Sequence, residues 1–352
     1  MLSQKRILVC PLDWGLGHAT RCIPIVRLLL NKNAVVIIAA DGRSLALLKL
    51  EFPKLEFITL KGYDISYPTM GSMILKMFFS IPKILFGIWN EHENLKKIIQ
   101  KNKIDIVISD NRFGLWNKNI KSIFITHQLF IKSPLAEKLL HRINLFFINK
   151  FDECWVPDVA GAINLSADLS HSYQLPNNTF FVGFLSRFNL DVNKINSKYD
   201  ILALISGPEP QRSIFEKLLV AQIHKSNLKA LIVCGKTDLE QCIEQIGNIT
   251  IVAYLQSQEL ERAFLESNLV IARSGYSTIM DLVILNKKAI FIPTPGQTEQ
   301  EYLAIELMQK NIAFSQTQAS FNLMEALEIA KKYSGFSGFE NNTELKNRVN
   351  KL

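Results

Sequence analysis

The sequence lacks most of the short motifs that would identify a chemistry directly. No C-x-x-C occurs, and the five cysteines (Cys10, Cys22, Cys154, Cys234 and Cys242) are odd in number and partly embedded in apolar runs. That excludes a disulfide framework and predicts a reduced, cytoplasmic setting with buried thiols. G-x-x-x-x-G-K-[ST] is absent, so the chain is not a P-loop protein. No D-x-D metal motif is apparent, Asp152-Glu153 being the nearest pattern, and no metal or other cofactor is expected. There is no internal repeat. Sixteen Gly and 12 Pro in 352 residues are too few for a low-complexity chain. The apolar run near the N-terminus is too short for a signal peptide.

What is present is a core. Hydrophobic residues make up 48% and charged residues 20%, a globular composition, and the length suggests two domains. The net charge of +8 is uneven. Met1 to Leu190 holds 23 Lys and Arg against 14 Asp and Glu, and the remainder is nearly balanced. A basic half implies an anionic partner for that half: a membrane surface or a phosphorylated substrate. Nucleic acid is not expected, because no basic tail, recognition helix or binding motif accompanies the charge. Met70 to Trp89 has the length of a membrane span, but Lys76, Pro82 and Lys83 interrupt it. Its Phe78, Phe79, Phe86 and Trp89 among lysines predict an interfacial or buried helix pair, peripheral on the cytoplasmic membrane face in the first case.

Short apolar runs alternate with helix-length segments throughout. Arg6–Cys10, Ala34–Ala40, Phe57–Leu60, Ile104–Ser109, Ser122–Thr126 and Phe151–Val156 read as buried parallel strands. After the polar stretch Asn189–Asp200 the pattern restarts at Ile201–Ile205, Ala230–Cys234, Ile249–Ala253, Leu269–Ala272 and Ala289–Ile292. The predicted fold is α/β: two Rossmann-like, doubly wound parallel-sheet domains facing across a cleft, residues 1–188 and 189–352. Ligands are expected beyond the carboxyl ends of the strands.

Four constellations sit at such ends. Asp13-Trp-Gly-Leu-Gly-His-Ala-Thr-Arg21 follows the first strand; Gly15 and Gly17 permit a tight turn, and His18 opens a helix. A helix N-terminus favours a nearby anion and keeps the ring neutral, as a base requires. A dinucleotide reading of this G-x-G, with Asp41 ending the second strand, lacks its third glycine. A plain strand-to-helix turn is the bland alternative. Ser109-Asp110-Asn111-Arg112 and His127-Gln128 end two further strands with polar side chains; here Asp110 as a helix cap paired with Arg112 is the bland alternative. Ser206-Gly207 through Arg212 forms a turn where N–H groups and a cation meet phosphate. Arg273-Ser274-Gly275-Tyr-Ser-Thr278 is an anion site at a helix start, or simply a capped helix. Asp281 one turn on suits vicinal hydroxyls, and Glu299-Gln300 after the next strand suits a sugar ring.

With these residues in view, the chain resembles the GT-B glycosyltransferases of the family 28 type, which include the lipid-linked N-acetylglucosaminyltransferase of peptidoglycan synthesis. ARSGYSTIMDL resembles that family's S-G-x-x-T-x-x-E stretch, and IPTPGQTEQEYLA its P-x-x-x-x-x-Q-x-x-N-A stretch. The resemblance implies that Ser274, Gly275 and Thr278 hold the donor diphosphate, Asp281 the ribose and Gln300 the donor sugar. It implies that the backbone around Tyr254-Leu255 reads the base, most often uracil. It implies a GT-B last helix that crosses back to the first domain. GLGH resembles the acceptor-side loop, and Gly15, Gly17, Arg21, Asn111, Arg112 and His127 are expected on the acceptor side. G-x-G-H-x-x-R is also similar to a nucleotide-sugar hydrolase of the same fold.

The expected reaction is an inverting, metal-independent transfer from a UDP-sugar to a hydroxyl acceptor, lipid-linked or of the cell envelope. His18 or Asp110 takes the proton, His18 being preferred. Ser206, Gly207, Arg212 and Arg273 complete the donor side. The alternatives are a nucleotide-sugar hydrolase and a non-catalytic nucleotide- or dinucleotide-binding protein.

Overall fold

The computed structural model describes residues 4–62, 73–132, 137–172, 174–188, 196–237 and 240–352, with side chains from residue 82 onward in the helix that begins at Met73. Two compact units divide the chain: Met1–Leu185 with Asn341–Leu352, and Ser186–Glu340. Most of the polar stretch predicted as a linker lies outside the described residues.

The first unit runs β1 (Arg6–Pro11), α1 (Leu16–Asn31), β2 (Val35–Ala40), α2 (Gly42–Glu51), β3 (Glu56–Thr59), α3 (Met73–Asn102), β4 (Ile106–Asp110), β5 (Lys121–Ile125), α4 (Glu137–Ile148), β6 (Glu153–Val156), α5 (Asp168–His171) and β7 (Thr179–Phe181). The second continues with β8 (Tyr199–Leu204), α6 (Gln211–His224), β9 (Ala230–Val233), β10 (Ile243–Ile246), β11 (Ile249–Val252), α7 (Ser257–Leu265), β12 (Ser267–Ala272), α8 (Tyr276–Ile284), β13 (Ala289–Phe291), α9 (Thr298–Gln309), β14 (Phe314–Ser315) and α10 (Leu323–Ala330). The last helix, α11 (Glu344–Asn350), packs in the first unit. There Arg348 bridges to Glu153 at 3.0 Å, and Lys5 Nζ donates to the Leu352 carbonyl at 2.7 Å.

The first sheet is parallel in the order β3-β2-β1-β4-β5-β6-β7. The second is ordered β10-β11-β9-β8-β12-β13-β14 and is parallel except for β10. Each predicted strand is present, which follows from burial on both faces: Leu8, Ile37, Val107, Ile232 and Ile271 are sealed from solvent. Each such aliphatic contributes about 1.5–3 kcal/mol. β7 and β14 were not predicted because they are only three and two residues long, and β10 because it carries little apolar signal; Ile243 of β10 is largely exposed.

The direction of winding reverses between β1 and β4, and between β8 and β12. Ligand sites of such sheets lie at the carboxyl ends beside these reversals. The helix pair expected around Met70 to Trp89 is instead one helix, α3, which continues through Pro82. Residues 70–72, and the side chains of Lys76, Phe78 and Phe79, lie outside the described residues. No helix among the described residues is long and apolar enough to cross a membrane.

Candidate active site

In the first unit the loops after β1 and β4 meet. Pro11 and Asp110 are register partners, and Leu12 N–H donates to the Asp110 carbonyl at 3.0 Å. Gly15 sits at φ +148°, backbone that side-chained residues rarely adopt, and its added Cβ would meet nothing; conformation, not space, requires glycine here. The turn delivers His18 to the first turn of α1 and Arg21 one turn further on.

These side chains close on one buried carboxylate. His18 Nδ1 lies 2.8 Å from Asp110 Oδ1, and Arg21 pairs with both Asp110 oxygens through Nε and Nη2. Arg21 Nη2 also lies 2.9 Å from His18 Nδ1, and Nη1 donates to His127 Nδ1 at 2.9 Å. Burial pushes the Asp110 carboxyl up, but the Arg21 guanidinium and His18 outweigh it and hold it at about 2. Asp110 is thus ionised at neutral pH and sealed from solvent. In the tautomer that donates Nδ1–H to Asp110, His18 presents Nε2 with its lone pair, and the ring is partly exposed.

The predicted acceptor contacts divide in two. Gly15, Gly17 and Asn111 are half-buried around the turn. Arg21, Arg112 and His127 are interior. Arg112 pairs with Glu91 at 2.6 Å, not with Asp110, and donates to the carbonyls of Leu60 and Lys61 at 2.9 and 2.6 Å. It fastens the loop after β3 to α3. Glu91 was not singled out, since nothing in its spacing points to a residue on another element.

In the second unit, β8 and β12 end side by side at Leu204 and Ala272. Ser206 is exposed and Gly207 half-buried at φ +107°; a Cβ there would stand 3.4 Å from Thr294 Oγ1, so the turns after β8 and β13 touch. Arg212 is paired with Glu209 and donates to the Cys234 carbonyl at 3.4 Å, so its charge is matched locally. Gly275 is the N-cap of α8 and offers no side chain to cap it, while Ser277 and Thr278 sit half-buried in the first turn. A helix start carries the positive end of the helix dipole.

Arg273, predicted beside the donor, is interior: it donates to the carbonyls of Ile292, Pro293 and Gln211 at 2.9 to 3.1 Å and to Gln318, and lies over the Phe215 ring at 4.1 Å. Burial lowers it to about 10, still a cation at neutral pH, and its work is to tie the turns together. Ser274 is likewise buried, donating to the Gln300 carbonyl at 2.7 Å. Gln300 Oε1 accepts from Thr294 N–H at 2.8 Å. Glu299 stands beside it in the first turn of α9.

Asp281 is buried on α8, where its carboxylate accepts from Ser186 Oγ at 2.6 Å and faces Arg187 Nε at 3.6 Å. Burial raises it to about 6 against the pull of Arg187 and Ser186. Arg187 is a candidate that sequence reasoning missed, because its partner lies far along the chain. Tyr254 and Leu255 are half-buried at the end of β11. Among the described residues, no group of three or more His, Cys, Asp or Glu side chains is gathered for a metal ion.

One surface of the first unit carries exposed apolar side chains. On α3 these are Leu85, Phe86 and Trp89, and on α4 Leu139, Ile143 and Phe146. Ile84 of α3 and Phe147 of α4 pack on the same cluster of Leu12 and Ile88. Lys83, Lys138, Arg142 and Lys150 are exposed on or beside these helices, and Lys150 Nζ lies 4.6 Å from the Phe146 ring centre.

Residues 209–337 match the Glycosyltransferase family 28 C-terminal domain. The chain is 24% identical over 320 residues to the UDP-N-acetylglucosamine--N-acetylmuramyl-(pentapeptide) pyrophosphoryl-undecaprenol N-acetylglucosamine transferase of Buchnera aphidicola, covering 88% of this chain and 84% of that one. Its fold is similar to that of the glycosyltransferase SnogD from Streptomyces nogalater, with TM-score 0.63, 12% identity, and 99% and 95% of the two chains covered. It is also similar to MurG of Acinetobacter baumannii, with TM-score 0.56, 13% identity, and 99% and 100% covered.

Proposed function

The chain is a glycosyltransferase of the GT-B fold and family 28 type, and from that premise we propose that it moves a sugar from a UDP-sugar to the hydroxyl of a lipid-linked acceptor, by inversion and without a metal. The observation that carries this reading is the His18–Asp110 pair, an imidazole oriented by a fixed carboxylate at a strand end where a substrate is expected.

In this reading the acceptor hydroxyl gives its proton to His18 Nε2 as its oxygen bonds to the anomeric carbon. The bond from that carbon to the diphosphate breaks on the opposite face, which inverts the centre. The electrons leave with UDP, and the N–H groups at the start of α8, with Ser277 and Thr278, meet the charge. Arg187 adds a cation beside Asp281, which takes the ribose. Glu299 and Gln300 hold the sugar, and the Tyr254–Leu255 backbone reads uracil. Arg21, Asp110 and His127 hold the His18 ring; Arg273 and Ser274 hold the donor loops.

The printed name of the Buchnera relative, with its UDP-N-acetylglucosamine and pyrophosphoryl-undecaprenol, supports this donor and acceptor class. The apolar faces of α3 and α4, with their lysines, support peripheral binding to an anionic membrane, where a lipid-linked acceptor resides. A panel of UDP-sugars assayed with and without polyprenyl-diphosphate acceptors tests the reading. Acceptor-dependent transfer is expected. Sugar release from the donor alone at the rate seen with every acceptor would make the enzyme a hydrolase instead.

A further inference from the structure

The hairpin of β10 and β11 ends in an arrangement that the reaction above does not use. Its strands are antiparallel, with Ile243 opposite Val252. One step further, Ala253 N–H donates to the Cys242 carbonyl at 3.2 Å. At the next step the backbone ladder stops and a side chain continues it. Gln241 Nε2 donates to the Tyr254 carbonyl at 2.7 Å, and Tyr254 N–H donates to Gln241 Oε1 at 3.3 Å. One exposed amide thereby satisfies both main-chain groups of Tyr254.

Past Leu255 a second side chain acts the same way: Gln256 N–H donates to Glu259 Oε2 at 3.1 Å. Leu255 lies between these two tied residues. Among the described residues, nothing bonds to its N–H or its carbonyl, although it is half-buried. Partly buried main-chain groups are normally paired, and the open pair calls for a ligand or water. Tyr254 has both main-chain groups turned to Gln241, and the Leu255 pair, the next along the chain, is the one left open. A donor and an acceptor side by side match an amide edge, which uracil presents as N3–H and O4. The Gln241 amide on Tyr254 shows that such an edge fits a residue's N–H and C=O at this strand end.

We propose that Gln241 is a positioning residue for nucleobase recognition: it holds Tyr254 so that the N–H and C=O of Leu255 are presented as the base-reading edge. This rests on the donor reading above and adds to it a side chain that never touches the donor.

The test titrates the full chain with UDP, uridine and inorganic pyrophosphate, comparing wild type with Gln241→Met, which keeps the volume and removes both bonds, and Gln241→Ala. Both variants should weaken UDP and uridine by the same factor, about tenfold, while pyrophosphate stays within about twofold. KM for the donor should rise by that factor with kcat at saturation unchanged. The melting temperature should hold, since Gln241 is exposed. Equal uridine affinity in all three proteins would make Gln241 a hairpin cap only and overturn the proposal. Tighter binding in the variants would mean that the amide competes with the base, and would overturn it equally. Those outcomes leave the donor reading intact. If UDP fails to bind folded wild type, the donor reading falls and this proposal with it.

Discussion

At the carboxyl ends of β1 and β4 the first unit gathers charge: Asp110, Arg21, His18 and His127 touch one another, three of the four sealed from solvent. At the corresponding ends of β8 and β12 the second unit gathers main chain: the start of α8 and the Ser206-Gly207 turn, with the buried cation Arg273 spent on loop carbonyls. The same strand order thus supports two designs. A buried ion cluster fixes one imidazole in one orientation, which suits proton transfer. A set of backbone donors spread along a sheet edge suits a long polyanion, which needs many moderate contacts.

The contrast is sharpest at His18. His18→Ala should lower kcat by about 10²–10⁴-fold, the usual worth of a positioned base, with UDP affinity within about twofold. Retained kcat would place the base elsewhere. Asp110→Asn tests whether the first site is truly an ion cluster. It leaves Arg21 buried without its carboxylate and should cost about 3–5 kcal/mol of stability, read by denaturant unfolding. A loss under about 1 kcal/mol would show Arg21 to be satisfied by its other partners. Because Asp110 sits far below its ordinary range, its contribution is complete at neutral pH and is lost as pH falls from about 4 through about 2.

On the exposed apolar face of α3, Phe86→Ser with Trp89→Ser should weaken binding to anionic vesicles by at least about tenfold, at about 1.5–3 kcal/mol per buried aromatic. Equal binding, or none in wild type, rejects the membrane surface.

The second unit should respond more gently, because no single group dominates there. Thr278→Val should raise KM for the donor by about tenfold, the worth of one hydrogen bond to a charged group. Asp281 gives the smallest effect and a distinctive one. It titrates near pH 6 and must be ionised to accept two ribose hydroxyls, so UDP-sugar affinity should fall as pH drops through about 6. A UDP-sugar is the correct probe, since the terminal phosphate of UDP itself titrates in that range. In Asp281→Asn the pH dependence should vanish; an unchanged profile would assign it to another group.

The strands were legible because a strand buried on both faces must be a continuous apolar run, as Ile106–Asp110 and Ser267–Ala272 largely are. β10 was not, since an exposed edge strand such as Ile-Glu-Gln-Ile has no such requirement. The turns at Gly15 and Gly207 were legible from chemistry that only glycine supplies. The roles of the arginines were not. Arg21 and Arg112 read as acceptor contacts and Arg273 as a donor contact, yet each is interior, with partners on other elements: Asp110, Glu91 and the carbonyls of the loop after β13. Local spacing carries no record of such pairs, and for that reason Glu91, Arg187 and Gln241 also went unseen.

Hydrogen exchange of the full chain with and without saturating UDP tests most directly the division of labour in which the second unit seats the donor and the first supplies the base. Protection is expected at residues 206–212, 253–256, 273–281 and 294–300, with residues 12–21 and 109–112 unchanged. Protection confined to 12–21 and 109–112 would contradict it.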